Sequence, residues 1–291
     1  MGTHSRAPSA CSAHCIAEQL VIAKAQLRAF DSAGIDSRLL MCHVLHCEPV
    51  YLMTWPEKEL TEAQLGALGQ LIAKRKAGHP IAYLIGYRDF WSLRLQVSPA
   101  TLIPRPETEL LVETVLALSL PQHATVLDLG TGTGAIALAL ASEKPEWQIT
   151  GIDKSTEAVA LAKQNAQLNN LPQVSFKQSD WFSNIANETF SLIVSNPPYV
   201  EDDSIYLRQG DVRFEPASAL TSGPDGLNDI RLIIAKTQTY LAKEGWLVFE
   251  HGYQQAPGIQ ALFTKHGFEQ IHSVNDLNGH PRITLGRYPA L

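Results

Sequence analysis

The stretch VLDLGTGTGAIALAL (residues 126–140) decides the fold, because an apolar strand, a glycine-rich turn and an apolar helix follow one another directly. Gly130, Gly132 and Gly134 allow the backbone to approach a ligand closely where the strand passes into the helix. The side chains of Thr131 and Thr133 are small, so they do not obstruct a ligand at that turn. The helix N-terminus favours an anionic group, such as the carboxylate of an amino-acid-like ligand. The same loop is also the tight turn of a doubly wound protein that binds nothing there.

Strand and helix patterns alternate through the C-terminal two thirds of the chain. Apolar segments predict strands at 125–129, 148–153, 173–177, 190–195, 245–250 and 283–287. Helical spacing of apolar residues predicts helices at 107–118, 134–143, 156–169, 226–242 and 255–266. This alternation predicts an α/β domain with a mostly parallel sheet covered by helices on both faces. The polar segment 200–225 has no such pattern, which is typical of a functional or disordered loop.

The N-terminal part predicts helices instead. Apolar residues at helical spacing predict a helix over 16–33, ended by Gly34, and a second that begins at 36 or 37 and ends at 46. Thr61 and Gln64 have the spacing of a capping box that opens a third helix. That helix ends in the basic run 74–76, which we expect to be solvated. Aromatic and β-branched residues then predict a short hairpin, so we divide the chain into a helical domain (1–85), a hairpin linker (86–106) and the α/β domain (107–291).

Composition excludes several classes of protein. The 291 residues carry a net charge of −6, with 23 Lys and Arg against 29 Asp and Glu, which does not suit a protein that grips duplex phosphates. No apolar run reaches the roughly 18 residues of a membrane span, and the N-terminus lacks a secretory signal pattern. The spacing of the four cysteines, of which Cys11 is the first, lacks the paired pattern of a zinc site, so we expect no metal. Because cysteines are so few, we expect them to be reduced and the protein to be cytoplasmic.

Acidic residues follow the predicted strands after the glycine loop. Asp153 ends its strand, where its carboxylate is placed to accept both ribose hydroxyls of a nucleoside, or alternatively to cap the next helix. Asp180 is placed to accept from an adenine amino group, and Trp181 to present a ring or a backbone donor to the purine. Ligands bind at this edge of an open α/β sheet. The compact G-x-G-x-G spacing favours S-adenosylmethionine over a dinucleotide, whose fingerprint is G-x-G-x-x-G.

The segment FSLIVSNPPYV (190–200) carries the most specific motif. Pro197 and Pro198 fix the backbone and donate no N–H, so their carbonyls point in fixed directions. The side-chain oxygen of Asn196 and the carbonyl of Pro197 form a pair of acceptors that suits an NH2 group, and Tyr199 is placed to lie against a planar substrate group. Such acceptors would hold a poorly nucleophilic amide nitrogen in line with a methyl donor through positioning and electrostatics.

Taken together, these motifs resemble the HemK-type glutamine-N5 methyltransferases, often called PrmC, which modify peptide-chain release factors. The similarity covers nearly the whole chain and includes GHPIAYLIG (78–86), LIPRPETE (102–109), DLGTGTGAIAL (128–138), SNPPY (195–199), GDVRFEP (210–216) and FEHG (249–252). The Asn-Pro-Pro-Tyr turn is shared with many amino-methyltransferases. The combination of PRPETE before the glycine loop with RFEP after it is specific to a much narrower group of proteins.

The resemblance implies a small N-terminal helical domain that docks the substrate, joined by a β-hairpin to a Rossmann-like, seven-stranded methyltransferase domain. It implies S-adenosylmethionine as cofactor and, as substrate, the glutamine of the Gly-Gly-Gln motif in class I release factors. Carried over by position, the cofactor loop falls on Gly130 to Gly134, with Asp153 at the ribose and Trp181 at the adenine. The glutamine-holding and catalytic turn falls on Asn196, Pro197, Pro198 and Tyr199, and Asn196 also lies near the transferring methyl.

Two other functions fit parts of the pattern. A nucleic-acid amino-methyltransferase, acting on adenine N6 or guanine N2, would share the Asn-Pro-Pro-Tyr turn but should carry a basic groove or a target-recognition domain. A non-enzymatic module that binds S-adenosylmethionine would not need an intact acceptor turn.

Outside the motifs, Arg105 and Glu109 either line the cofactor entrance or pair with each other. Glu215 is a candidate loop anchor, and we interpret His251 as structural.

Overall fold

The computed structural model describes residues 12–186 and 188–289, so Cys11 and residues 1–10 of the predicted helical domain lie outside the described part. The chain folds into two compact units, one ending at Gly86 and the other beginning at Tyr87. Within the described residues, no helix combines the length and apolar character that a membrane crossing needs. Nor does any group of His, Cys, Asp or Glu in this described part have the arrangement of a metal site.

The first unit is helical, as predicted. Its described helices are α1 (Ile16–Gln26), α2 (Ala33–Leu45), α3 (Pro49–Thr54), α4 (Glu62–Lys76) and α5 (Ile81–Ile85). The capping box of α4 is confirmed, because Gln64 N donates to Thr61 Oγ1 at 3.3 Å and Thr61 N donates to Gln64 Oε1 at 2.9 Å. The prediction for α1 was wrong, since α1 ends at Gln26 and Gly34 lies in the first turn of α2, where the Ser32 carbonyl accepts the first helical hydrogen bonds.

The basic run at the end of α4 is not uniformly solvated. Arg75 is buried and its Nε donates to Asp36 Oδ2 at 2.8 Å, while its guanidinium lies 4.2 Å from the centre of the Phe30 ring. Lys74 and Lys76 are exposed. The prediction failed for Arg75 because helical spacing puts it on the same buried face as Leu68 and Ile72.

The second unit contains a hairpin and a seven-stranded sheet. The hairpin strands are β1 (Tyr87–Phe90) and β2 (Leu93–Gln96). The sheet strands are β3 (Thr125–Leu129), β4 (Gln148–Asp153), β5 (Ser175–Gln178), β6 (Phe190–Ser195), β7 (Leu241–Glu250), β8 (Glu269–Asn275) and β9 (Pro281–Arg287). The helices are α6 (Glu107–Leu116), α7 (Ala135–Glu143), α8 (Thr156–Leu168), α9 (Asn228–Thr237) and α10 (Ala256–Lys265).

The sheet confirms the predicted α/β fold with seven strands. Its order is β5-β4-β3-β6-β7-β9-β8, and β9 runs antiparallel to the direction that the other six strands share. Alternate residues of the strands enter two apolar cores, with Val126 in the core under α6 to α8 and Leu127 in the core under α9 and α10. The strand β8 was not predicted, because its side chains are mostly polar and it lies at the edge of the sheet.

Three further segments differ from their predictions. The hairpin, expected to occupy residues 86–106, is confined to strands within residues 87–96. The strand β7 begins at Leu241, which pairs with Phe190 before a register shift. The polar segment 200–225 is ordered into short 3-10 turns at Ile205–Arg208, Val212–Phe214 and Ala217–Ala219.

Two asparagines of α8 hold the hairpin against the rest of the second unit. Asn165 Oδ1 accepts from Gln96 N at 2.7 Å, and its Nδ2 donates to Gln96 O at 3.0 Å and to Thr133 O at 2.9 Å. One helical turn later, Asn169 Oδ1 accepts from Arg94 N at 3.2 Å and its Nδ2 donates to Arg94 O at 2.9 Å. The side-chain amides therefore pair with β2 as a neighbouring strand would, and Asn165 links the hairpin to the glycine loop.

We expect Asn165→Ala to lower the free energy of unfolding of the second unit by about 1–3 kcal/mol, because it leaves the buried Thr133 carbonyl and the half-buried backbone groups of Gln96 without these partners. Asn169→Ala is the matched control and should cost less, since its bonds to Arg94 are exposed to water. Urea denaturation followed by tryptophan fluorescence measures both. If both variants lost the same free energy of unfolding, burial of the Asn165 hydrogen bonds would not increase their contribution to stability.

Candidate active site

The glycine loop lies at the carboxyl end of β3, as predicted. Gly130, Gly132 and Gly134 all have positive φ angles, of 72°, 54° and 84°. Any side chain at Gly134 would be strained, because a Cβ there would lie 3.1 Å from the Phe176 ring and 3.2 Å from Leu138. Gly134 therefore packs against the core under α7 and α8, whereas the two preceding glycines face a cavity.

Asp153 is held beside the loop by backbone donors. Gly132 N donates to its Oδ2 at 3.0 Å and Ser155 N donates to its Oδ1 at 2.9 Å. The cap of α8 is Ser155, whose Oγ accepts from Ala158 N at 3.1 Å, so Asp153 itself is not the capping residue. A carboxylate has about four lone-pair positions, and two remain for further donors.

Trp181 and Asp180 occupy the turn after β5. Trp181 has a φ of 47°, and its Nε1 donates to Asp229 Oδ1 at 3.2 Å, which leaves the indole ring rather than the indole N–H to face a ligand. A Cβ added at Gly130 would lie 3.6 Å from that ring, in ordinary van der Waals contact, so the glycine backbone lies close to the ring. Asp229, which the sequence did not single out, is fixed by Ser222 Oγ, which donates to Asp229 Oδ2 at 2.7 Å.

The Asn-Pro-Pro-Tyr turn follows β6 directly. Asn196 Nδ2 donates to Thr108 Oγ1 at 3.1 Å. The Tyr199 hydroxyl donates to Glu250 Oε1 at 3.3 Å, and Gln255 Nε2 donates to the Tyr199 carbonyl at 3.0 Å. Burial and the nearby Glu250 carboxylate raise the pKa of Tyr199, so this hydroxyl stays protonated and acts as a donor.

Two adjoining cavities meet at Asn196. The first is an open cleft with about 980 Å³ of empty space including its mouth, and a concave site of this kind is where small molecules usually bind. The predicted residues that line it are Gly130, Thr131, Gly132, Thr133, Asp153, Asp180, Trp181, Asn196 and Pro198. The second is lined by Asn196, Pro197 and Tyr199 together with Leu102, Arg105, Tyr206 and Leu207. Of the predicted site residues, only Gly134 lines neither cavity.

Arg105 and Glu109 do not pair with each other. Arg105 forms an ion pair with the buried Glu215, whose Oε2 accepts from Ile103 N at 3.2 Å, which confirms Glu215 as an anchor between the segment before α6 and the loop before α9. Glu109 Oε1 instead accepts from Trp91 N at 2.8 Å. His251 is buried against Thr284 Oγ1, 2.7 Å from its Nε2, and keeps the structural role that we predicted.

Two fully buried carboxyl groups stand at the ends of strands beside the site. Burial raises the pKa of Asp128 to about 7, although Thr131 Oγ1 donates to its Oδ2 at 2.6 Å. Burial likewise raises the pKa of Glu250 to about 7. The folded state therefore keeps protons that the unfolded chain releases between about pH 4 and 5, so these groups stabilise the fold less as the pH rises to neutrality.

We expect the free energy of unfolding of the second unit to fall between about pH 5 and pH 7.5, and Asp128→Asn to reduce that fall. Denaturation curves at several pH values measure the slope. Asp203→Asn removes an exposed carboxylate as a control and should keep the wild-type slope. An unchanged slope in Asp128→Asn would contradict the assignment to this group.

Two family models match the chain. The PrmC N-terminal domain matches residues 18–86, and the Methyltransferase small domain matches residues 106–220. The second match contains the glycine loop and the Asn-Pro-Pro-Tyr turn.

Similar proteins cover nearly the whole chain. A Vibrio cholerae protein named release factor glutamine methyltransferase is 50% identical over 259 residues, which cover 89% of this chain and 91% of the relative. A Shewanella oneidensis protein of the same name is 47% identical over 278 residues, which cover 95% of this chain and 97% of the relative. A solved methyltransferase of Pyrococcus furiosus, at 18% identity and a TM-score of 0.53, covers 77% of this chain and 98% of its own, and shows the fold alone. The chain belongs to the release factor glutamine methyltransferase family.

Proposed function

We propose that this chain transfers a methyl group from S-adenosylmethionine to the side-chain amide nitrogen (N5) of the glutamine in the Gly-Gly-Gln motif of class I release factors. One observation carries the proposal. Asn196 lines both the cavity of the glycine loop and the cavity of the Asn-Pro-Pro-Tyr turn, so a cofactor in the first and an amide in the second meet at one side chain.

The residues of the first cavity fit S-adenosylmethionine. Gly130 and Trp181 both line this cavity, and an adenine can stack against the face of an aromatic ring. The two unused acceptor positions of Asp153 suit the two hydroxyls of a ribose. Asp180, exposed at the same rim, is placed to accept from the adenine amino group. When bound, the cofactor supplies an electrophilic methyl carbon on a sulfonium.

The second cavity suits a flat amide. Apolar side chains of Leu102, Val200 and Leu207 line it and offer no polar group that would compete with the acceptor pair for the amide. The oxygen of Asn196 and the carbonyl of Pro197 accept the two N–H bonds of the glutamine amide, while Pro198 and the Tyr199 ring keep the turn and the amide plane in place. The nitrogen would then be held in line with the methyl–sulfur bond, which would break with its electron pair left on sulfur as the nitrogen–carbon bond forms, and the methylated nitrogen would release its extra proton to water.

We propose that the protein works in the cytoplasm with release factors as protein partners, and that it does not bind nucleic acid directly in a sequence-specific way. The net charge of −6 supports this choice over the nucleic-acid amino-methyltransferase. No described feature favours a binding module without activity, because the acceptor turn and the cofactor cavity adjoin.

The test is transfer of labelled methyl from S-adenosylmethionine to a purified class I release factor. We expect label in the wild-type factor and none in a factor whose Gly-Gly-Gln glutamine is changed to alanine. Label in DNA or ribosomal RNA, with none in the factor, would favour the nucleic-acid enzyme. Binding of cofactor with no transfer to any of these would favour the non-enzymatic module.

We expect Asn196→Ala to lower kcat by about 100-fold or more, the effect of removing a preorganised polar contact from a reacting group, and to change the cofactor Kd little. Asp153→Ala is the complementary variant and should raise the cofactor Kd about tenfold while keeping most of kcat at saturating cofactor. Calorimetric titration with S-adenosylmethionine and steady-state assays separate the two effects. If Asn196→Ala lost cofactor binding but turned over normally at saturation, the assigned roles would be wrong.

A further inference from the structure

Two buried side chains behind the acceptor turn, Thr108 and Glu250, have not been named so far as site residues. Asn196 Nδ2 donates to Thr108 Oγ1 on α6. Glu250, the last residue of β7, accepts from the Tyr199 hydroxyl. Thr108 and Glu250 are both buried, and Glu250 lines neither cavity.

The buried Oε2 of Glu250 has no hydrogen-bond partner among the described residues, and the Thr108 hydroxyl stabilises the ionised form of this carboxyl group. Because an ionised carboxylate can only accept hydrogen bonds, we take the hydroxyl proton of Thr108 to be oriented toward Glu250. The lone pairs of Thr108 Oγ1 are then left to accept. Only the NH2 end of the Asn196 amide can donate to them.

The opposite end of the Asn196 amide is therefore the oxygen, and it is the end that remains for a substrate. Among the described residues, no hydrogen bond involves Asn196 Oδ1, although this side chain lines both cavities. An amide rotated by half a turn would present NH2 to the substrate NH2, and two donors repel. The orientation of one amide thus decides whether the turn can hold its substrate.

From this geometry we infer that Thr108 and Glu250 are positioning residues, which hold the Asn196 amide with its oxygen toward the substrate nitrogen. The inference rests on the proposed transfer to a glutamine amide. Glu250 acts through two neighbours, since it orients the Thr108 hydroxyl on one side and anchors the Tyr199 ring on the other. Neither Thr108 nor Glu250 exchanges a proton with the substrate.

The experiment compares Thr108→Val, which keeps the shape but loses the hydroxyl, with Thr108→Ser, which keeps the hydroxyl. We expect Thr108→Val to lower kcat about tenfold, the weight of one hydrogen bond, and Thr108→Ser to stay within about twofold of wild type. The cofactor Kd should change less than about threefold in both. Thr114→Val, a threonine of the same helix whose hydroxyl donates to Leu110 O, controls for the substitution itself and should retain full activity.

A pH profile tests Glu250 separately. The carboxylate is faced by Tyr199, Glu107 and Arg282, with Arg105 acting on Tyr199, and burial places its pKa at about 7. Because only the ionised form is an obligate acceptor, kcat of the wild type should fall as the pH drops below about 7. Glu250→Gln should lose this acid limb and show a kcat about tenfold lower across the range.

Failure of the inference can be told from failure of the proposed function. If the wild type transfers no methyl to a release factor, the function itself is wrong. If the wild type is active and Thr108→Val keeps its kcat, or Thr108→Ser loses as much as Thr108→Val, the hydroxyl does not orient Asn196. If the acid limb of the kcat profile persisted in Glu250→Gln, it would belong to another titrating group, and Glu250 would not be a positioning residue.

Discussion

The site depends on the pairing of parallel strands at one edge of the sheet. Leu129 at the end of β3 lies opposite Ile152 in β4 and Ser195 in β6, and the Ser195 hydroxyl donates to the Leu129 carbonyl at 2.7 Å. The residues that follow these ends, Gly130 and Asn196, are consequently neighbours. A slip of one strand would separate the glycine loop from the Asn-Pro-Pro-Tyr turn and would also reverse which side chains enter the two apolar cores.

A buried carboxylate next to a threonine hydroxyl occurs twice at this edge of the sheet. Asp128 at β3 and Glu250 at β7 are buried carboxylates, and each interacts with the hydroxyl of a threonine that lines the first cavity, Thr131 and Thr108 respectively. Within the described residues, one oxygen of each carboxylate has no hydrogen-bond partner. Such incomplete pairing costs stability, which is consistent with a fold that spends part of its stability on the orientation of site residues.

Local patterns and chemistry determined most of what could be predicted. The strand ends, the glycine loop and the acceptor turn each lie in a short segment with a clear period or motif, so their places were predicted correctly. Arg75, Asp229, Thr108 and Glu250 act through partners that are 39, 48, 88 and 51 residues away in the sequence. The pattern of residues within one segment does not show such long-range contacts. The edge strand β8 was missed because it is exposed to solvent and therefore lacks the regularly spaced apolar residues from which a strand is predicted.

The pairing of Asn165 and Asn169 with β2 has a consequence for solubility. A two-stranded ribbon has two edges, and an unoccupied edge is a template on which another chain can add a strand and begin aggregation. Here the N–H and C=O groups of Arg94 and Gln96 on the outer side of β2 already bond to helix side chains. The two asparagines thus close that edge without a third strand, and a chain lacking both would expose it to intermolecular β-sheet formation.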